Sequence, residues 1–288
     1  MRIGLVAHNR KKAALEVARD IISWSNQKNN GGKEIDLVVY DKDSSVLNIP
    51  GINYSPISEM DADAIICVGG DGTILRTLQK TDSPVLGVNA GSLGFLTEVP
   101  PDGVNNALER LLEGNFEIDR RSRLKTVLNG ERLPDATNEA VISTNTPSKI
   151  QEFEFYIDME WAQSLRADGL ILSTPTGSTS YAFSAGGSVL DPRLEAIEIV
   201  PIAPFRINAR PIIIPDISVI TLKVAHKTRS ANLVLDGYFR KTIKNKDELL
   251  FTRSKNVAKF IRFDMNFYKR FGEKIIRDRP LVNKKGKY

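Results

Sequence analysis

The chain has 288 residues, 41% of them hydrophobic and 26% charged, with a formal net charge of +5. This is the balance of a soluble globular protein, long enough for two domains with a core each. No run approaches the length of a membrane span. The lone Cys67 excludes an internal disulfide, and with only His8 and His226 beside it a histidine–cysteine metal centre is not expected. The charge is uneven: Arg240 to Tyr288 holds 16 Lys/Arg against 5 Asp/Glu. No zinc spacing or aromatic-interleaved repeat accompanies it, so a solvated face, or attraction of phosphate-rich small molecules, is expected rather than nucleic-acid binding.

In chain order, Arg2 to Ala7 reads as a first strand, with no signal peptide before it. An amphipathic helix follows, with Leu15, Ala18, Ile22 and Ser25 on one stripe, Ala14 and Ile21 beside it, and Asn29–Gly32 as its stop. Ile35 to Tyr40 is a second strand. A loop rich in Asp, Ser, Asn and Pro leads to the apolar run Ala64–Val68, read as a buried parallel strand holding Cys67. A helix starts at Thr73, Val85–Val88 is a strand, and Val104 to Glu113 is a helix ended by Gly114. Alternating strands and helices predict an α/β domain with a parallel sheet over 1–116.

From Phe116 the helical period fades. Asn129–Gly130 and Asp236–Gly237 are hairpin turns, and Phe153, Phe155 and Ile157 alternate with Glu154, Tyr156 and Asp158 as in a half-buried strand. Pro211–Lys223 and Asn232–Leu235 read similarly. The expectation is a mostly β domain over 117–262 and a basic C-terminal tail, partly disordered, over 263–288.

Three stretches carry chemistry. Gly69–Gly70–Asp71–Gly72–Thr73 sets a carboxylate between a strand's C-terminal end and a helix N-terminus, where open α/β sheets place ligands. Asp71 is equally suited to capping the helix. Asp168 through Gly187 combines a strand, a hydroxyl- and glycine-rich turn and Tyr181, which suits sugar and phosphate oxygens and a base; it also suits a plain β-domain corner. Asn138–Glu139 precedes an apolar run and offers an amide beside a carboxylate. No Gly-x-x-x-x-Gly-Lys-Ser/Thr loop occurs, and no Gly-x-Gly-x-x-Gly follows the first strand, so the first domain is Rossmann-like without that fingerprint.

Together, and in this order and spacing, the three stretches resemble the motifs of NAD kinases. The resemblance covers about Met1 to Phe260, with Thr174–Gly187 its most specific part. Asn89–Ala90–Gly91–Ser92–Leu93–Gly94–Phe95–Leu96 and Arg210–Pro211 add to it. It implies transfer of a phosphoryl group from ATP or polyphosphate, with magnesium or another divalent cation, to the 2′-hydroxyl of NAD's adenosine ribose, making NADP. Asp71 is implied as the catalytic aspartate. Asp71, Gly72, Phe95, Asn138, Glu139, Arg166, Asp168, Thr179, Ser180, Tyr181, Ser184, Ala203 and Tyr238 are implied to bind NAD. Gly70, Gly72, Thr73 and Arg76 are implied to bind phosphate. No metal ligand in the protein is implied, nor a nucleic-acid or membrane partner. A homodimer or homotetramer is implied, and the lone cysteine, with no signal peptide or membrane span apparent, suggests a cytoplasmic protein.

Three departures bear on fine substrate preference, including NAD against NADH: Ser180 where many members have alanine, Phe205 where histidine is frequent, and Tyr238 where glutamine or a small polar residue is common. Diacylglycerol and sphingosine kinases share Gly-Gly-Asp-Gly-Thr, but there Asn-Glu usually follows directly, whereas Thr73 is followed by Ile74–Leu75–Arg76. A third reading is a module that binds dinucleotides without turning them over.

Overall fold

The computed structural model describes residues 1–32, 34–91, 94–146, 149–206, 209–225, 230–264 and 267–277. Ser92 and Leu93 of the Asn89–Leu96 loop, His226, and the tail past Arg277 lie outside the described residues. The chain divides into two compact units. One comprises Met1–Ile74, Val85–Ile118 and the segment from Ile261 on; the other comprises Leu75–Pro84 and Asp119–Phe260.

The first unit opens with β1 (Arg2–Ala7), α1 (Lys12–Asn30), β2 (Asp36–Tyr40), α2 (Ser44–Leu47), β3 (Asn53–Ser55) and β4 (Ala64–Gly69). It continues with the first turn of α3 (Asp71–Leu78), β5 (Val85–Asn89), α4 (Val104–Leu112) and the start of β6 (Glu117–Arg121), the rest of α3 and β6 being counted with the second unit. Strands β1 to β5 are paired in parallel. Their central runs are apolar throughout because both faces are covered: every residue of β4 is buried, Cys67 among them. The order is β3-β2-β1-β4-β5, with two later strands beyond β5. Winding therefore reverses between β1 and β4, and ligands bind at such switch points beyond the strands' carboxyl ends. Asp71 follows β4 at that end.

Helix α1 buries Ala14, Val17, Ala18, Ile21, Ile22, Trp24 and Ser25, so the stripe is wider than expected and Leu15 lies at its margin. The segment expected as a loop after Tyr40 holds α2 and β3. Both are too short to show a period, and β3 is an edge strand held by three pairings to β2.

The second unit is antiparallel. It contains β7 (Leu124–Leu128), β8 (Glu131–Arg132), β9 (Glu139–Thr144), β10 (Gln151–Ile157), β11 (Glu160–Ala167), β12 (Gly169–Ser173) and a single turn α5 (Tyr181–Ser184). Then come β13 (Ala196–Ile202), β14 (Ile212–Pro215), β15 (Ile220–Val224), β16 (Ala231–Leu235), β17 (Phe239–Ile243) and β18 (Glu248–Arg253). One six-stranded sheet runs β11-β10-β15-β18-β7-β8 and the other β14-β13-β12-β9-β16-β17. One apolar cluster draws on both: Phe153, Phe155, Leu222 and Phe251 from the first, Ile142, Leu170, Leu172 and Leu233 from the second. The expected hairpin turns are present. Asn129 and Gly130, then Asp236 and Gly237, take consecutive positive φ values, as a type I′ turn requires.

The chain then passes through β19 (Ala258–Arg262), which lies beside β5, and into α6 (Phe267–Arg277). A helix thus occupies part of the stretch read as a basic tail. Among the described residues no helix is long and apolar enough to cross a membrane.

Candidate active site

Asp71 is the first residue of α3, and its carboxylate is held by the loop after β5. Phe95 N–H donates to one oxygen at 2.8 Å and Leu96 N–H to the other at 3.1 Å. Each oxygen keeps a further lone pair, and the residue is only half-buried. The carboxylate is thus bound to a loop rather than to the helix's own N–H groups. Two glycines make this possible. A Cβ at Gly94 would lie 2.0 Å from Asp71 Oδ1, and one at Gly69 would lie 2.5 Å from Thr73 Oγ1. At Gly70 and Gly72 a Cβ would meet nothing within 4 Å. These two glycines answer no crowding within the chain and leave room outside it. The N–H groups of Asp71 and Gly72 head the helix and have no partner within it, which favours an anion there. Thr73 is buried and its N–H bonds Gly70 O at 2.9 Å, so it serves the turn itself. Arg76 lies one turn further along α3, half-buried, its Nε without a partner.

The second carboxylate site is built differently. Asn138 and Glu139 stand at the start of β9, both only 6% exposed. Asp236, in the turn between β16 and β17, accepts the N–H groups of Thr137 (2.8 Å), Asn138 (2.7 Å) and Glu139 (3.2 Å). The turn after β12 closes over the same backbone. Thr174 N–H bonds Asn138 O at 2.9 Å, and Thr174 Oγ1 donates to Thr137 O at 2.6 Å. A Cβ at Gly177 would lie 2.2 Å from Asn138 O, so only glycine fits.

Asn138 Oδ1 and Glu139 Oε2 are buried without a partner. Burial, and then the neighbouring Asp236 charge, push the Glu139 carboxyl up to about 8, against a hydrogen bond from the Ser180 hydroxyl. Burial pushes Asp236 up too, but its three N–H donors and Arg123 oppose this. Asp236 has three N–H groups on its carboxylate, whereas Glu139, pushed up to about 8, holds its proton at neutral pH.

Ser180, the departure from alanine, thus touches Glu139 directly. Thr179 Oγ1 bonds back to Thr176 O at 3.4 Å, and Tyr181 and Ser184 on α5 are exposed. Tyr238 is exposed beside Gly237. Ser178, in the same turn, is structural: its hydroxyl donates to Pro175 O and accepts Leu190 N–H.

Arg166, Asp168 and Ala203 are elsewhere. Register pairs Ser173 with Glu139 and Gly169 with Ser143 across β12 and β9, and Gly169 with Ile202 across β12 and β13. Asp168 and Ala203 therefore lie at the opposite end of these strands from Glu139. The five residues of β12 separate Asp168 from Thr174, roughly 20 Å end to end. There Arg166 stacks over the Phe205 ring at 4.9 Å, and both are exposed. Phe205 N–H bonds Arg166 O at 2.8 Å. Ala203 sits at φ +44, a strained conformation for a residue with a Cβ.

The sequence reading missed Asp236 as a site residue. Its Asp-Gly pair was legible as a turn, but its three bonds reach 97 to 99 residues back along the chain, which no local pattern reports. Among the described residues no group of three or more His, Cys, Asp or Glu is gathered to hold a metal.

Comparison with known proteins gives the same assignment over both parts of the chain. The model of the ATP-NAD kinase N-terminal domain matches residues 53–116, and that of the ATP-NAD kinase C-terminal domain matches 137–263. The NAD kinase of Methanothermobacter thermautotrophicus is 41% identical over 283 residues, covering 96% of each chain. That of Thermococcus kodakarensis is 42% identical over 279 residues, covering 96% of this chain and 99% of its own. An NAD kinase from Archaeoglobus fulgidus, solved in complex with ATP, superposes with a TM-score of 0.77 at 29% identity over 95% of this chain and 98% of its own. Yeast NADH kinase, solved with NADH, shares the fold: its TM-score is 0.89 at 21% identity over 99% of this chain and 90% of its own. The expected fold, an α/β domain followed by a β domain, is the fold of these proteins, and the match decides against the lipid kinases. The chain belongs to the NAD kinase family, enzymes that phosphorylate NAD to NADP.

Proposed function

We propose that Asp71 is the general base of this reaction, that ATP is the donor, and that two sets of residues at opposite ends of one sheet both bind NAD. The observation that carries the first point is the Asp71 carboxylate, fixed by two loop N–H groups yet open on its other lone pairs, beyond the carboxyl end of β4. The ribose 2′-oxygen forms a bond to the terminal phosphorus of ATP, the bond from that phosphorus to the bridging oxygen breaks, and ADP leaves. The hydroxyl proton passes to Asp71. A carboxylate is far less basic than an alkoxide, so it takes the proton late, as the new bond forms, and before that it orients the hydroxyl. Alignment and charge neutralisation supply the rest.

The helix-head N–H groups of Asp71 and Gly72, with Gly70, Thr73 and Arg76 around them, would face donor phosphate. The described residues gather no metal cage. A divalent cation would be held by the donor's own phosphates and would offset their charge.

Asn138, Glu139, Thr179, Ser180, Tyr181, Ser184 and Tyr238 would form one NAD-contacting set. The unpartnered buried oxygens of Asn138 and Glu139 support this, because such atoms cost free energy until a ligand pairs them. A protonated Glu139 donates as well as accepts, which suits a ribose diol. Arg166, Asp168 and Ala203 would form the other set. The strand register sets the two sets apart, and this supports a homo-oligomer in which they serve different copies' ligands. Localisation in the cytoplasm, where NAD and ATP are at hand, completes the reading.

Asp71→Asn keeps the shape and accepts the two loop bonds through only one oxygen. Its kcat should fall by about 10²–10⁴-fold with little change in NAD affinity. Near-normal turnover would return Asp71 to a structural role.

A further inference from the structure

The strip that holds Asp71 is itself held from the far end of the chain. After Gly94, Phe95 and Leu96 turn their N–H groups to Asp71, and the same strip, through Val99, lies against β5. Glu98 N–H and Val99 N–H bond Gly87 O, Asn89 N–H bonds Val99 O, and a Cβ at Gly87 would lie 3.0 Å from Thr97 Cα.

Two arginines close the outer side. Arg262 of β19 donates to Leu96 O at 3.0 Å and to Glu98 Oε2 at 3.0 Å. Arg270 of α6 donates to Thr97 O at 3.1 Å and pairs with the same Glu98 oxygen. The other Glu98 oxygen accepts Phe263 N–H at 2.9 Å and Asp264 N–H at 3.4 Å. Phe263 in turn lies under the Arg110 guanidinium of α4, 4.4 Å from its ring centroid. Burial would push the Glu98 carboxyl up, but Arg262 and Arg270 outweigh it and hold Glu98 below its usual range. The cluster is therefore fully charged at neutral pH.

Leu96 is the point of transmission. Its N–H bonds the Asp71 carboxylate and its carbonyl accepts Arg262, so the two ends of one peptide residue join the C-terminal segment to Asp71.

We infer that Arg262 and Arg270 are positioning residues for Asp71: clamped on Glu98 and on the Leu96 and Thr97 carbonyls, they set the loop whose N–H groups orient the catalytic carboxylate. This rests on the reading of Asp71 as the base. It gives α6 and the end of β19 a part in turnover although neither carries a reacting group.

Arg270 is the residue to change, since its side chain is 21% exposed against 4% for Arg262, and its loss leaves Arg262 on Glu98. Misplacement of a catalytic group by about 1 Å costs up to ~10²-fold. Arg270→Ala should therefore lower kcat by about 10- to 100-fold while KM for NAD and for ATP stays within about twofold. Arg270→Lys keeps the charge on Glu98 and should recover part of the loss. Amide exchange at Phe95 and Leu96 should quicken in Arg270→Ala.

The decisive readout is the double variant. In an Asp71→Asn background, adding Arg270→Ala should change kcat by less than about twofold, because both act through one group. A defect in Asp71→Asn with wild-type turnover in Arg270→Ala overturns the inference alone, as do two losses that multiply in the double variant. Near-normal turnover of Asp71→Asn overturns the base reading, and this inference with it.

Discussion

The two ends of the strands β9, β12 and β13 carry proposed site residues of opposite character. At the Glu139 end the polar groups are buried and over-determined. One carboxylate, Asp236, takes three backbone N–H groups, while the next, Glu139, is left protonated with an unpartnered oxygen. The Thr174–Gly177 turn approaches so closely that Gly177 admits no side chain. At the Asp168 end the side chains in question are exposed: Arg166 and Phe205 stack in the open, and Ala203 holds a strained backbone on the surface. One end is a closed, finished wall with two orphaned buried oxygens, and on the proposed function these are what NAD pairs. The other end exposes its charged and aromatic side chains, and on the proposed function it becomes a site only when a second copy covers it.

Three substitutions sharpen that contrast, in falling order of effect. Asn138→Ala removes a buried group at the finished end. Losing a well-placed hydrogen bond costs roughly 1–3 kcal/mol, so KM for NAD should rise roughly 5- to 150-fold with the fold intact. Unchanged kinetics would remove Asn138 from the site.

The next concerns the proton on Glu139. Its carboxyl is held up to about 8. The folded chain therefore binds a proton that the unfolded chain has released, and stability falls as pH rises from the ordinary carboxylate range through about 8. NAD affinity should fall in the same direction above about pH 8, by up to tenfold per unit. Ser180→Ala removes the hydrogen bond that opposes the shift, so the alkaline limb should move to higher pH, with an effect of a few-fold at fixed pH. A limb that stays in place would separate Glu139 from NAD binding.

The smallest effect is expected at the open end. Phe205→Leu deletes an exposed cation–π contact, worth about 0.5–1 kcal/mol, so KM for NAD should change by roughly two- to fivefold. A change as large as that of Asn138→Ala would show that this end is already enclosed within one chain.

The same contrast marks how far the sequence could be read. Gly69–Thr73 announced itself because strand, glycines, carboxylate and helix are consecutive, and the alternation of Phe153, Phe155 and Ile157 announced a half-buried strand. The Asn138–Glu139 pair meant little on its own residues, since its meaning comes from Asp236, which pairs with it only through β16 and β9. The Arg262–Glu98–Arg270 cluster was hidden for a related reason: a stretch counted as surplus positive charge includes two arginines paired with one buried carboxylate 164 to 172 residues earlier. The α2 and β3 segments were missed because three or four residues show no period. Separation of the two proposed NAD sets was also invisible, because it follows from the register of β12 against its neighbours.

The claim that the finished end and the open end serve different copies' ligands is tested most directly by mixing. One chain carries Asn138→Ala and Glu139→Ala, the other Arg166→Ala and Asp168→Ala, and each alone should be weakly active at low NAD. Dissociated and reassembled together, hybrids acquire one site whose two halves are both intact. In a random one-to-one dimer mixture about a quarter of wild-type activity should return. Hybrids that form, shown by mass, but give only the average of the two parents' activities would contradict the account.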